Sequence, residues 1–168
     1  MGAETNFYNI SGLKENALVL HNLNSAIRIR NEIEKKICGV MLSKKTFNIV
    51  FGGGGVTGAE LAGETCGYLK KLKKKYESKI KPNITVIEGQ PNILSGFDPI
   101  IIGWAKKRLE KMGVKIETGE FINQVEENKI TVKSGRVFDF DILIWSGGIK
   151  PNQLVENLPF KKDHKGRI

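Results

Sequence analysis

A chain of 168 residues holds one or two small cores at roughly 100–200 residues per domain, with one compact unit as the default, and excludes a large multidomain enzyme. Its 40% hydrophobic and 27% charged residues exclude a disordered polymer, and no run approaches the roughly 18 apolar residues of a membrane-spanning helix. Of the net charge of +9, the stretch from Lys70 to Lys81 carries +6 from seven lysines and one glutamate; without arginine, and with only Tyr76 as an aromatic, it lacks what nucleic-acid readers use.

That basic stretch reads as a solvated helix end, or more sharply as a contact for an anionic membrane surface, at about 1 kcal/mol per well-placed lysine. The N-terminus, MGAETNFYNI, has no basic segment followed by an apolar one, which speaks against secretion. Asn6 stands where a myristoylation signal requires Ser or Thr. Cys38 and Cys66 are 28 residues apart with no CxxC, so both are expected as buried thiols in a cytoplasmic protein, and no metal site is expected. Asn9-Ile10-Ser11 and Asn83-Ile84-Thr85 match the glycosylation pattern, but without a secretion signal they read as chance.

Residues 1 to 15 are polar and read as irregular. Asn24-Ser25 then open a helix with Ile27, Ile29, Ile33, Ile37 and Val40 on roughly one side, which makes 1–45 a lead-in segment. Phe47-Asn48-Ile49-Val50-Phe51 is a short apolar run of the kind that forms a buried parallel strand, and four glycines stop it. From Thr57 the period becomes helical through Leu61, Thr65, Leu69, Leu72 and Tyr76, until the lysines and Pro82 end it. Ile84 to Glu88 forms a second strand. Asp98-Pro99 caps and starts a helix buried through Ile102, Ala105, Leu109 and Met112, and Gly113 closes it. The period then drops to two over Val114–Glu117, Phe121–Val125 and Ile130–Val132, which reads as a β-meander. Asp141 to Trp145 is another central strand, stopped by Ser146-Gly147-Gly148. This order implies an α/β, Rossmann-like three-layer domain over 46–150, with a mostly parallel sheet and a β-meander crossover, followed by a tail over 151–168.

Gly53-Gly54-Gly55-Val56-Thr57-Gly58 satisfies GxGxxG between a strand and a helix, where a dinucleotide mechanism requires it. The first glycine permits the tight turn, the second admits a pyrophosphate to the backbone, and the third brings helix and strand together. A phosphate loop for triphosphates is excluded, because Ala59 and Glu60 occupy the places of its lysine and its Ser or Thr.

Glu88 ends the second strand 30 residues beyond Gly58, and the lysine-rich extension accounts for the surplus over the usual spacing of about 20. A carboxylate there accepts hydrogen bonds from an adenosine ribose and repels a 2′-phosphate, which favours NADH over NADPH; an exposed strand end is the plain alternative. Glu60 and Glu64, one turn apart at the start of the helix, can point toward a ligand across its N-terminus, or can simply complement the helix dipole. His21 and His164 receive no role.

Together GGGVTGAELAGE at 53–64, ITVIEGQPNIL at 84–94, DILIWSGGIKPN at 141–152 and the upstream ENALVLHNLNSAIRIRNEI at 15–33 resemble the NADH-binding domain of the pyridine nucleotide-disulfide oxidoreductase superfamily, and within it the type II NADH dehydrogenases. The family's N-terminal FAD fingerprint and its later Gly-Asp FAD motif have no counterpart here, so the chain resembles a middle domain of a longer flavoprotein, with 1–45 leading in from it and 151–168 leading back. The resemblance implies that Gly53, Gly55 and Gly58, with the loop residues Gly54, Val56 and Thr57 and with Glu64 nearby, hold NADH, and that Glu88 binds its ribose. Glu60 would lie near nicotinamide and flavin as the residue closest to catalysis, and Gly147-Gly148 would let the nicotinamide end pass. It further implies FAD held by a separate domain of the parent, a quinone as final acceptor, and no activity for this part alone. A homodimer, and attachment of the parent to the cytoplasmic face of a membrane, are compatible with it. Gly52, where the family usually has an apolar strand residue, and the long Lys70 to Lys81 segment are departures. The alternatives are another FAD-dependent reductase, of ferredoxin or disulfide type, and a stand-alone NAD-binding regulatory module.

Overall fold

The computed structural model describes residues 3–43, 46–76, 82–163 and 166. Elements follow in the order β1 (Ala3–Thr5), α1 (Leu13–Asn16), β2 (Ala17–Val19), α2 (Leu23–Ser43), β3 (Asn48–Gly52), α3 (Val56–Lys75), β4 (Asn83–Glu88), α4 (Pro99–Met112) and β5 (Val114–Thr118). Then come β6 (Ile122–Glu126), β7 (Lys129–Val132), β8 (Val137–Asp139), β9 (Ile142–Trp145), β10 (Ile149–Pro151) and α5 (Gln153–Glu156). The central sheet is parallel throughout, in the order β2-β9-β3-β4-β5.

The strands separate two apolar layers by alternation. Ile49 and Phe51 of β3, Ile84 and Val86 of β4, and Ile142 and Ile144 of β9 face α2, α3 and α4 in one core. Val50, Ile87, Leu143 and Trp145 face the other way, onto Ile122, Val125, Ile130 and Val132 of the antiparallel sheet β6-β7-β8 and onto Leu13 of α1. The three layers are therefore helices, parallel sheet and antiparallel sheet, because a meander rather than a second helical layer covers the far face.

Several expectations are corrected. The first fifteen residues are not irregular: β1 pairs antiparallel with β10, and α1 buries Leu13 completely. The lead-in also supplies β2, which pairs with β9 as an edge of the central sheet, so 1–45 and 46–150 share that sheet. Val114–Thr118 is a parallel neighbour of β4, and the third meander strand is instead Val137–Asp139. Cys38 is exposed, since it lies one residue past the buried Ile37 and helical geometry turns it about 100° away; Cys66 is buried, and burial pushes its thiol pKa up.

Local signals explain the ends. An Asn22–Ser25 box opens α2: the Ser25 N–H donates to Asn22 Oδ1 at 3.0 Å, and the Asn22 N–H donates to Ser25 Oγ at 2.9 Å. Asp98 Oδ1 accepts from the Ile100 N–H at 2.8 Å, a cap that contributes about 1 kcal/mol, and Gly113 ends α4 at φ 95°. The Tyr68 hydroxyl donates to Glu34 and ties α3 to α2; burial, then this bond, raise the tyrosine pKa. In the basic segment α3 runs to Lys75, whose ammonium lies 4.9 Å from the Tyr76 ring centre; residues 77–81 and His164 fall outside the described residues.

Candidate functional site

Strand order reverses between β3 and β9, since β4 and β5 follow on one side of β3 and β9 lies on the other. In open α/β sheets, ligands bind at such a reversal, beyond the carboxyl ends of the strands. Two loops meet there, Gly53–Gly55 after β3 and Ser146–Gly148 after β9.

The three fingerprint glycines stand in three different surroundings. Gly53 turns at φ 105°, and a Cβ on it would come within 2.6 Å of the Gly147 Cα, so the two loops touch backbone to backbone. Gly55 precedes α3 with nothing within 4 Å of where a Cβ would be, and no side chain caps the helix, so the amides of its first turn are open to an anion. Gly58 is buried, and a Cβ there would overlap the Gly53 carbonyl oxygen. The Ser146 hydroxyl fastens the junction by donating to the Gly53 carbonyl at 3.0 Å, and the Ser146 N–H donates to the Gly52 carbonyl at 2.8 Å.

Glu88 binds the loop itself. Its Oε2 accepts from the Gly54 N–H at 2.6 Å and its Oε1 from the Gln90 N–H at 2.8 Å. A carboxylate has about four lone-pair directions, so capacity remains for the hydroxyls of a ligand. Gly54 is buried, and a Cβ on it would meet Ile93 and Glu88.

The cleft beside these loops measures about 590 Å³. Gly53, Glu88 and Gly147 line it among the residues singled out from sequence, together with Tyr8, Phe121, Lys133 and Trp145, which sequence reasoning missed. The Trp145 indole N–H donates to the Asn6 carbonyl at 2.8 Å, and Tyr8 meets the indole edge-on, with ring centres 6.4 Å apart. This indole also explains the unexpected Gly52: a Cβ there would lie 2.6 Å from the Trp145 ring. Also in the lining, the Lys133 ammonium lies 5.2 Å from the Phe121 ring centre. Arg136, three residues beyond Lys133, is engaged by Glu117 at 2.9 Å and Glu120 at 3.2 Å.

Val56, Thr57, Glu60 and Glu64 are exposed on the first turns of α3 and are not among the cleft-lining residues. Gly148 lies against the Tyr8 hydroxyl, just behind Gly147. The apolar run Ile142 to Trp145 with the following glycines was the available signal for Trp145; nothing local in the sequence brings Tyr8, Phe121 or Lys133 to it.

A glycine loop at the reversal of a parallel sheet, opening a helix and backed by an acidic strand end, defines a Rossmann-like α/β fold of the FAD/NAD oxidoreductase type. The family model for pyridine nucleotide-disulphide oxidoreductases matches residues 1–168, and the chain belongs to that family. The internal alternative NAD(P)H-ubiquinone oxidoreductase A1 of Arabidopsis thaliana mitochondria is 34% identical over 99% of this chain and 34% of its own length. The type II NADH:quinone oxidoreductase of Staphylococcus saprophyticus is 30% identical over 100% of this chain and 44% of its own length. The fold is also that of NDH2 from Plasmodium falciparum, solved in complex with NADH, with a TM-score of 0.83 over 92% of this chain and 34% of that one, at 24% identity. The chain thus spans between about a third and just under half of the curated relatives it matches.

Proposed function

We propose that this chain is the NADH-binding part of an FAD-dependent NADH dehydrogenase that delivers electrons to a quinone. The observation that carries the reading is the open backbone at Gly55, bracketed by glycines that are closed by contact at Gly53 and Gly58. Any side chain at Gly55 would fill the space that a phosphate needs, while the first-turn amides of Val56 and Thr57 offer donors to it. Glu88 would take the ribose, with Glu64 further along α3, and Gly147 and Gly148 would border the nicotinamide end. When bound, the nicotinamide supplies the redox chemistry, giving a hydride to a flavin held by another part of the enzyme. The residues of this chain bind, orient and shield. We assign Glu60 to the reacting end, where its charge acts on the rate rather than on adenosine binding.

A quinone acceptor would bring the whole enzyme to the cytoplasmic face of a membrane as a peripheral protein; among the described residues no helix is long and apolar enough to cross one. Glu88 disfavours a 2′-phosphate, and Arg136 is already occupied by two carboxylates, so NADH is the expected nucleotide. Titration calorimetry of the chain with NADH and NADPH is the test. Tighter binding of NADH supports the assignment; equal or reversed preference removes Glu88 as the ribose ligand. A flavin band in the purified chain would mean that the glycine loop serves FAD instead.

A further inference from the structure

Among the described residues the cleft is lined by three charged side chains, Glu88, Glu120 and Lys133, and Lys133 is the one cation of the three. Both acids are engaged within the fold. Glu88 accepts from the Gly54 and Gln90 amides, and Glu120 accepts from the Ser134 hydroxyl at 2.8 Å and from Arg136 at 3.2 Å. Lys133 precedes Ser134 directly, yet no carboxylate among the described residues lies within ion-pair distance of its ammonium, which rests instead over the Phe121 ring.

That contact is held in place by backbone. The Lys133 N–H donates to the Phe121 carbonyl at 2.8 Å, and the Glu120 N–H donates to the Glu88 carbonyl at 3.0 Å. The Phe121 ring lies against Gly89, where a Cβ would come within 2.5 Å of two ring atoms, so glycine lets the ring reach the end of β4. Contacts therefore run from Glu88 through Gly89 and Phe121 to Lys133, and a carboxylate and an ammonium border the same part of the cleft, joined through one aromatic ring.

Resting on the NADH reading above, we propose that Lys133 sets how strongly the site discriminates between the two nicotinamide dinucleotides, by attracting the 2′-phosphate that Glu88 repels. NADH and NADPH differ only at the 2′ position of the adenosine ribose, the sugar assigned to Glu88, and a phosphate there carries about 1.5 to 2 negative charges near neutral pH. The flexible stem of a lysine lets its ammonium leave an aromatic face for a phosphate, with which it makes the stronger, charge-assisted bond. Arg136 is already held by Glu117 and Glu120, so Lys133 is the cation free to do this. Preference for NADH is then a graded quantity, which Lys133 keeps smaller than Glu88 alone would make it. Because the ammonium is exposed, solvent screens it and its effect is modest.

The full chain and its variants, each with a melting temperature near that of the parent, are titrated with NADH and with NADPH at low and high salt, and the ratio of the two dissociation constants is read. Lys133→Met should raise the NADPH-to-NADH ratio about fivefold at low salt and less at high salt, whereas Lys133→Arg should stay near the parent. Glu88→Gln should move the ratio the other way. Lys129→Met, at the start of β7 and not among the cleft-lining residues, removes the same net charge and should leave the ratio in place. An unchanged ratio in Lys133→Met, an equal rise in Lys129→Met, or NADPH binding too weak to measure in the parent chain would each overturn the proposal. A parallel loss of both nucleotides in Lys133→Met would overturn it as well, by placing the ammonium on a group that the two share. Failure of the parent chain to bind either dinucleotide would instead overturn the NADH reading itself, and this assignment with it.

Discussion

The loop after β3 and the loop after β9 face each other across the reversal of strand order, and each depends on glycine for a different reason. In the first, the fingerprint glycines divide the work among them, since Gly53 turns, Gly55 leaves space, and Gly58 closes on the Gly53 carbonyl. In the second, Gly147 makes room for the Trp145 ring, which is itself anchored to Asn6 from the other end of the chain. The first loop is marked by the spacing of its own six residues, although Glu88 and Ser146 hold it in place; the second is specified by contacts between distant segments. A site built this way has one half whose reason lies in its own spacing and another, at Gly147 and Gly148, whose packing partners only the fold reveals.

The largest expected effect is at Gly58. Gly58→Ala drives a Cβ into backbone rather than a movable side chain, and should cost about 3 kcal/mol of unfolding free energy in a urea titration. Glu88→Ala comes next, because two loop amides lose their acceptor; about 2 kcal/mol and a clear loss of NADH affinity are expected, with the affinity read by calorimetry. Gly147→Ala meets the Trp145 ring first, a side chain that can shift at the expense of its bond to Asn6, so about 1 kcal/mol is expected, together with a change in tryptophan emission. Gly55→Ala should be nearly silent in stability, within about 0.5 kcal/mol, yet weaken NADH binding. If Gly55→Ala and Gly58→Ala destabilise equally, the separation of roles within the first loop is wrong.

The same contrast explains what was legible in the sequence. The central strands β3, β4 and β9 announce themselves as apolar runs, and α4 carries its own cap, proline and terminal glycine. β2 is only Ala17–Val19 and exists through its pairing with Leu143, Ile144 and Trp145, which no local pattern encodes. β5 alternates like a meander strand because it is an edge strand of the parallel sheet, with one side less covered. Of the site, the glycine loop and Glu88 were legible because their spacing carries the mechanism. Tyr8 was not: it holds a left-handed backbone at φ 49°, with its N–H donating to Asn6 Oδ1 at 2.9 Å, and it borders the cleft against Trp145 and Gly148, far away in sequence. Gly52 looked like a departure from the family pattern until the indole beside it supplied the reason.

The central claim is that NADH lies along the open side of the β3 loop and reaches the β9 loop. Following the amide chemical shifts of the isotope-labelled chain during an NADH titration tests it most directly. Saturating shifts are expected at Gly55, Val56 and Thr57, with further shifts at Gln90 and Gly147, while the amides of α2 and of β7 stay in place. Saturable binding that leaves Gly55, Val56 and Thr57 unmoved would contradict the claim.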